Sequence, residues 1–233
     1  MNNRQIAGRA AKKHGRLFED EVQNKLTLLT GREFIVEGSH YTKVDVRSTD
    51  GELRFSVKKA PTDLQVGLIT QRNFINALGI TDPHVNQFIS EFFGGDDFSH
   101  FPRHRKKISD IDPVIADKFL SFLHSSIEDI FKVAVTHGSL NQHDDVNYIL
   151  FPTVRHNVNT LKMIDVSSLN AEIKQHGKWN FTETGIHLRI NDVKVMAVQM
   201  FGSGKKYSSG YHSLQFRIAC GKVADSHLSN INT

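Results

Sequence analysis

The reading of the fold turns on TKVDVRSTDGELRFSVKK, residues 42–59. Two runs that alternate apolar and polar residues, 42–48 and 53–59, flank Ser48-Thr49-Asp50-Gly51, and Asp-Gly between such runs is a hairpin signal. With Asp50 and Gly51 as the two turn residues, position 49 pairs with 52 and Asp45 falls opposite Ser56. Opposed residues share a face of the ribbon, with Cβ atoms about 5 Å apart. Lys58, two residues beyond Ser56, joins them. Val44, Val46, Phe55 and Val57 take the other face and read as core.

A carboxylate, a hydroxyl and an ammonium side by side suit phosphodiester hydrolysis. A hard cation such as Mg²⁺ binds through one or two carboxylates together with phosphate oxygens and water. Asp45 can supply the carboxylate and the carbonyl of Val57 a neutral oxygen, while Lys58 can position the attacking water and offset phosphate charge. An ordinary polar hairpin, with Asp45 salt-bridged to Lys43 or Lys58, carries the same residues.

Outward from the hairpin, residues 15–29 read as a helix, because Phe18, Val22, Leu26 and Leu29 recur at steps of four and three before Gly31. Two helical stretches follow. One carries Leu68, Ile69, Phe74, Ile75 and Leu78 and ends at Gly79. The other opens at Asp82-Pro83 and carries Val85, Phe88, Ile89, Phe92 and Phe93. Residues 94–112 are polar and read as an exposed connection, and Asp112-Pro113 opens a further helix. Short strands are expected at 147–152, 160–166, 186–190, 193–200 and 214–219, with the polar loop 202–213 between the last two. In the final strand Gln215 and Arg217 share a face while Leu214, Phe216 and Ile218 pack inward. Gln pairs naturally with adenine and Arg with guanine in a major groove, although an amphipathic surface strand has the same pattern.

Composition limits the classes. In 233 residues, 39% hydrophobic and 23% charged with only 5 prolines, disordered and collagen-like chains are excluded. The single Cys220 excludes an internal disulfide and a cysteine-based zinc site. No apolar run reaches the ~20 residues of a membrane span, and the opening residues carry no secretory pattern. A soluble, cytoplasmic protein is expected. The net charge of +4 concentrates in Arg4 to Arg16, in Arg103, Arg105, Lys106 and Lys107, and in Lys205 and Lys206. Such patches fit a nucleic-acid partner or plain solvated surface. His100, His104 and His143 lack zinc spacing, and Gly202 to Lys206 lacks the spacing of a phosphate loop.

Asp45, ten residues, then Ser56-Val57-Lys58 resembles the active-site pattern of the PD-(D/E)xK nuclease superfamily. Four further stretches are similar to its monomeric, four-base-cutting Type II restriction endonucleases: Gly15-Arg16-Leu17-Phe18-Glu19, Gly38-Ser39 before Lys43-Val44-Asp45, Leu78-Gly79-Ile80-Thr81-Asp82, and the loop leading into Leu214-Gln215-Phe216-Arg217. The resemblance spans about the whole chain. It implies Asp45 and Val57 as Mg²⁺ ligands, Lys58 acting on the attacking water, Ser56 in the motif's third position and Glu19 as an indirect or water-mediated ligand. Ser56 stands where the general pattern has an acid, and this subgroup uses amides there. Arg217 stands where the subgroup has Lys. The resemblance also implies base reading by Gln215 and Arg217. Ser203, Lys205, Lys206, Tyr207, Ser208 and Ser209 would contact phosphates and base edges.

The expectation is therefore an α/β, restriction-endonuclease-like fold: a central mixed sheet with a catalytic hairpin flanked by helices, plus a strand-rich DNA-recognition part. Residues 1–132 form the catalytic region and 133–233 the recognition region, with a soft boundary that allows one unit. The implied activity is Mg²⁺-dependent, sequence-specific cleavage of double-stranded DNA at a short site of four base pairs, by a monomer, with a companion DNA methyltransferase in the cell and no membrane partner. A repair nicking enzyme or junction resolvase of the same superfamily, or a DNA-binding protein with a decayed nuclease site, are the rival readings.

Overall fold

A computed structural model describes residues 3–37, 43–93, 107–137, 145–183, 185–200, 213–220, 223 and 228–230. The chain is mixed α/β, as expected, with its strands in two sheets. Among the described residues no helix is long and apolar enough to cross a membrane.

The first sheet is built around the hairpin. Strands β1 (Phe34–Val36), β2 (Val46–Ser48) and β3 (Arg54–Val57) are followed in space by β5 (Tyr148–Pro152), β6 (Leu161–Asp165) and β11 (Leu228–Asn230). β3 and β5 run parallel and the other neighbours antiparallel, so this sheet is mixed. The long helix α1 (Asn3–Thr30) crosses one face. Its Phe18, Val22 and Leu26 are buried against Phe34, Val46, Phe55, Val57, Leu150 and Leu161. Apolar positions at steps of four make the stripe, and a sheet face with few charges receives it.

The hairpin connection is wider than the Asp-Gly signal implied. Ser48 N–H donates to Leu53 O at 2.9 Å and Gly51 N–H to Ser48 O at 2.9 Å, which leaves Thr49–Glu52 as a four-residue connection. Gly51 has φ +76°, a conformation glycine adopts without a Cβ penalty. The register is unaffected, because dropping the innermost pair does not shift the count. Val46 still opposes Phe55 and Arg47 opposes Arg54.

The second sheet is wholly antiparallel and ordered β4 (Leu64–Thr70), β10 (Ser213–Ile218), β9 (Val193–Met200), β8 (Ile186–Ile190) and β7 (Lys178–Phe181). Its inner face packs on α2 (Gln71–Ala77), α3 (Pro83–Phe93) and α4 (Pro113–Ser125) through the larger core, to which the short α5 (Ile127–Phe131) adds Ile130 and Phe131. Phe88 is the hub of that core. It stacks on Phe119 with ring centroids 4.1 Å apart and planes at 7°, and it lies 5.5 Å from Phe181 and 5.4 Å from Phe92. Phe88→Ala is expected to cost about 3–5 kcal/mol, read as a lower urea midpoint at unchanged slope.

Three expectations need correction. Leu68 and Ile69 lie in strand β4, not in a helix. Thr70 Oγ1 accepts from Asn73 N–H at 3.2 Å and caps α2, so the helix begins only at Gln71. The strand expected at 160–166 stops at Asp165, whose carboxylate caps α6 (Val166–His176) by accepting from Ser168 N–H at 2.8 Å. β7, α6 and the short β1 and β11 were not anticipated. Each sheet also draws strands from both sides of residue 132: β5, β6 and β11 join the first, and β4 joins the second.

Candidate active site

Asp45 sits just beyond the last paired residues of the hairpin ladder. Its N–H donates to Phe55 O at 2.8 Å, which continues the pairing and turns its side chain across toward β3. There Oδ2 accepts from Val57 N–H at 2.6 Å and from Ser56 Oγ at 3.2 Å. Lys58 Nζ stands 3.7 Å from the same oxygen. The three donors converge on Oδ2, and none of them is directed at Oδ1. The carboxylate and ammonium are about a quarter exposed, 28% and 24%. The trio inferred from the pairing count is thus assembled in space.

The main chain of β3 adds an oxygen. Within a strand the N–H and C=O of one residue point to the same side, and neighbouring residues point to opposite sides. Lys58 N–H points to β5 and donates to Leu150 O at 2.8 Å. Val57 N–H points the other way, to Asp45, so the carbonyl of Val57 faces that side as well.

Glu19 approaches from α1. Its carboxyl is held above the usual carboxylate range, first by burial and then by the negative charge of Asp45, against the pull of Lys59, Arg16 and Lys58. A Cβ placed on Gly15 would come 3.1 Å from Lys59 Nζ and 3.9 Å from Glu19 Oε1, so glycine leaves room for both groups at this turn. Arg16 is engaged elsewhere. It donates to the carbonyls of Glu37 and Val36 at 3.1 and 3.3 Å and pairs with Asp20. Among the described residues no three or more His, Cys, Asp or Glu side chains gather as a metal cluster. Two carboxylates, one carbonyl and two lysines make up the site.

Lys43 does not pair with Asp45. Its Nζ donates to Val66 O at 2.8 Å and to Ala134 O, and burial pushes its pKa down to about 7. This lysine ties the segment leading into Asp45, which is not a strand until Val46, to β4 of the second sheet. Gly67 permits the arrangement, because a Cβ there would meet Ala134 O at 2.7 Å. The sequence offered Lys43 only as a surface salt-bridge partner.

The final strand differs in one respect from its sequence reading. Gln215 and Arg217 do share the outer face of β10, with Leu214, Phe216 and Ile218 buried beneath. Gln215, however, is only 5% exposed. Its Oε1 accepts from Gln199 Nε2 at 2.7 Å, and its Nε2 donates to Gln65 Oε1 at 2.6 Å. The buried amide is the centre of a three-glutamine row whose ends, Gln65 and Gln199, are less covered. Arg217 is half-buried, and among the described residues its Nε has no hydrogen-bond partner. Ser203, Lys205, Lys206, Tyr207, Ser208 and Ser209 lie outside the described residues, as do Gly38, Ser39, His100, His104 and His143.

No family model and no curated protein matches the chain. Among solved structures it is similar to the restriction endonuclease MspI in complex with its cognate DNA, with a TM-score of 0.46 and 9% identity over 85% of this chain and 77% of that one. It is also similar to HhaI endonuclease in complex with DNA, with a TM-score of 0.32 and 11% identity over 87% of this chain and 84% of that one.

Proposed function

We propose that this chain is a Mg²⁺-dependent endonuclease of the Type II restriction class that hydrolyses double-stranded DNA at a short specific site. One observation carries the reading: Ser56 Oγ, Val57 N–H and Lys58 Nζ converge on a single carboxylate oxygen of Asp45 at the open end of the β2–β3 hairpin. The donor set fits a hard cation. Asp45 and the Val57 carbonyl would supply oxygen ligands from one side of β3, and Glu19 would add a second carboxylate, near enough to Asp45 for that charge to oppose the ionisation of Glu19.

When bound, Mg²⁺ supplies charge stabilisation at the phosphate and lowers the pKa of water. The residues divide the remaining work. The backbone N–H of Val57 and the hydroxyl of Ser56 fix the Asp45 carboxylate in one rotamer, so the ligand is oriented before substrate arrives. Lys58, held by its main chain to β5, orients the attacking water and offsets the charge that develops on phosphate oxygens. Ser56 brings no charge, so the site holds fewer acidic ligands than the general motif. Arg217 reads a guanine edge, and Gln215 acts with Gln65 and Gln199 as one amide row beside it.

The direct test is digestion of a phage genome in Mg²⁺ followed by run-off sequencing of the products. Discrete fragments with a common end sequence are expected. Random nicks or branched-substrate cleavage would replace this reading with a repair or junction nuclease. Binding without product in Mg²⁺ would replace it with a decayed site. Arg217→Ala is expected to lose about 1–3 kcal/mol of discrimination at one base pair, measured as relaxed site preference in the same sequencing.

A further inference from the structure

The second sheet carries an unusual charge pattern. Its five strands contain no Asp or Glu, in a chain that has 25 of them. The outer face instead presents two cross-strand rows. In one, Lys178 opposes Arg189 and Arg189 opposes Lys194. In the next, Asn180, His187, Ala197, Arg217 and Gln65 follow one another from β7 to β4. Trp179, Leu188, Met196 and Phe216 are buried on the opposite side, which fixes the direction of both rows.

Like charges directly opposed on neighbouring strands destabilise a sheet. The cationic row carries that cost with little internal relief: Lys194 lies 3.8 Å from Asp63, and Arg189 donates to Asp192 O at 2.8 Å. The second row holds two buried nitrogens with no hydrogen-bond partner among the described residues, His187 Nδ1 and Arg217 Nε, on either side of the small Ala197. Burial, with the charges of Lys194 and Arg189, lowers the pKa of His187, so its ring is neutral at pH 7 and can accept as well as donate.

We propose that this outer face is a duplex-DNA track, with Lys178, Arg189 and Lys194 contacting phosphates and His187 facing the groove beside Arg217. The proposal rests on the nuclease reading and extends it outward. Lys43 ties β4 to the segment bearing Asp45, so β4 is the near end of the track and β7 the far end. Four strand spacings of about 4.8 Å separate them, about 19 Å in all. At 3.4 Å per base pair that is about five to six base pairs. The far row therefore grips DNA flanking the cleaved site and adds affinity without sequence choice.

The test is fluorescence anisotropy with a labelled duplex of about 30 base pairs in EDTA, titrated across about 50–200 mM salt. For the triple variant Lys178→Gln, Arg189→Gln, Lys194→Gln, the salt slope is expected to shrink by about two to three and binding to weaken by about tenfold or more. Its cleavage pattern in Mg²⁺ stays that of the parent. Lys178→Gln alone, an exposed position, is expected to reduce the slope by about one, and equal thermal melts show that both variants fold. A parent-like slope in both variants overturns the track while leaving a binding, cutting parent as a nuclease. A parent that binds no duplex, or that prefers anionic vesicles, overturns both readings.

Discussion

Lys58→Ala is expected to slow DNA cleavage by about 10²- to 10⁴-fold while leaving specific binding within a few-fold of the parent. The reasoning starts from position. Lys58 Nζ is 3.7 Å from Asp45 Oδ2, whereas the hydroxyl and backbone N–H that also meet this oxygen form ordinary hydrogen bonds. The carboxylate therefore stays oriented without the ammonium, because Val57 N–H and Ser56 Oγ still hold it. What is lost is a positive charge beside the place where a phosphate and a water would meet. Such a charge acts where negative charge develops in the transition state, so its loss falls on the rate more than on binding. Single-turnover cleavage of a cognate duplex, with binding measured in EDTA, separates the two effects. A variant that cuts at the parental rate removes Lys58 from the chemistry. A variant that neither cuts nor binds points to a structural role, which a thermal melt would register.

How much of this was legible in the sequence depends on where each constraint comes from. The hairpin could be read because alternation and turn chemistry are local, and the pairing count survived a wider connection than Asp-Gly predicts. The same holds for α1, whose buried stripe of Phe18, Val22 and Leu26 is periodic in the sequence itself. Leu68 and Ile69 of β4 read as helical because they lead straight into the run of Phe74, Ile75 and Leu78. β4 is nevertheless a strand: it pairs with β10 along its length, with a bulge at Val66, and Gly67 lets the carbonyl of Ala134 come close. α6 did leave a signal: Asp165 as cap, then Val166, Leu169 and Ile173 buried at helical steps. At the candidate site Asp45, Ser56 and Lys58 could be placed by counting. The burial of Gln215 could not, since its amide partners come from β4 and β9.

Lys43 yields the second large effect, on stability against pH. Its ammonium is buried, and desolvation lowers its pKa from the ordinary 10.5 to about 7, aided by the charge of Lys58 and opposed by that of Asp45. Between pH about 7 and 10.5 the unfolded chain holds a proton that the folded chain has released. Stability rises with pH wherever the unfolded state binds more protons. The contribution of Lys43 therefore grows as pH climbs from about 7 toward 10.5 and is lost again as pH falls back to 7. Over that window it amounts to a few kcal/mol, at about 1.4 kcal/mol per pH unit. Other groups titrate in the same range, so the informative quantity is the difference between the parent and Lys43→Met, which keeps the aliphatic stem and removes the titration. The parent is expected to gain stability relative to the variant from pH 7 to 10, read from urea midpoints at several pH values. Parallel curves would mean that the amine is hydrated in solution. Lys43, two residues before Asp45, donates to the carbonyls of Val66 and Ala134, so the group that titrates also joins β4 of the second sheet to the segment that precedes the hairpin.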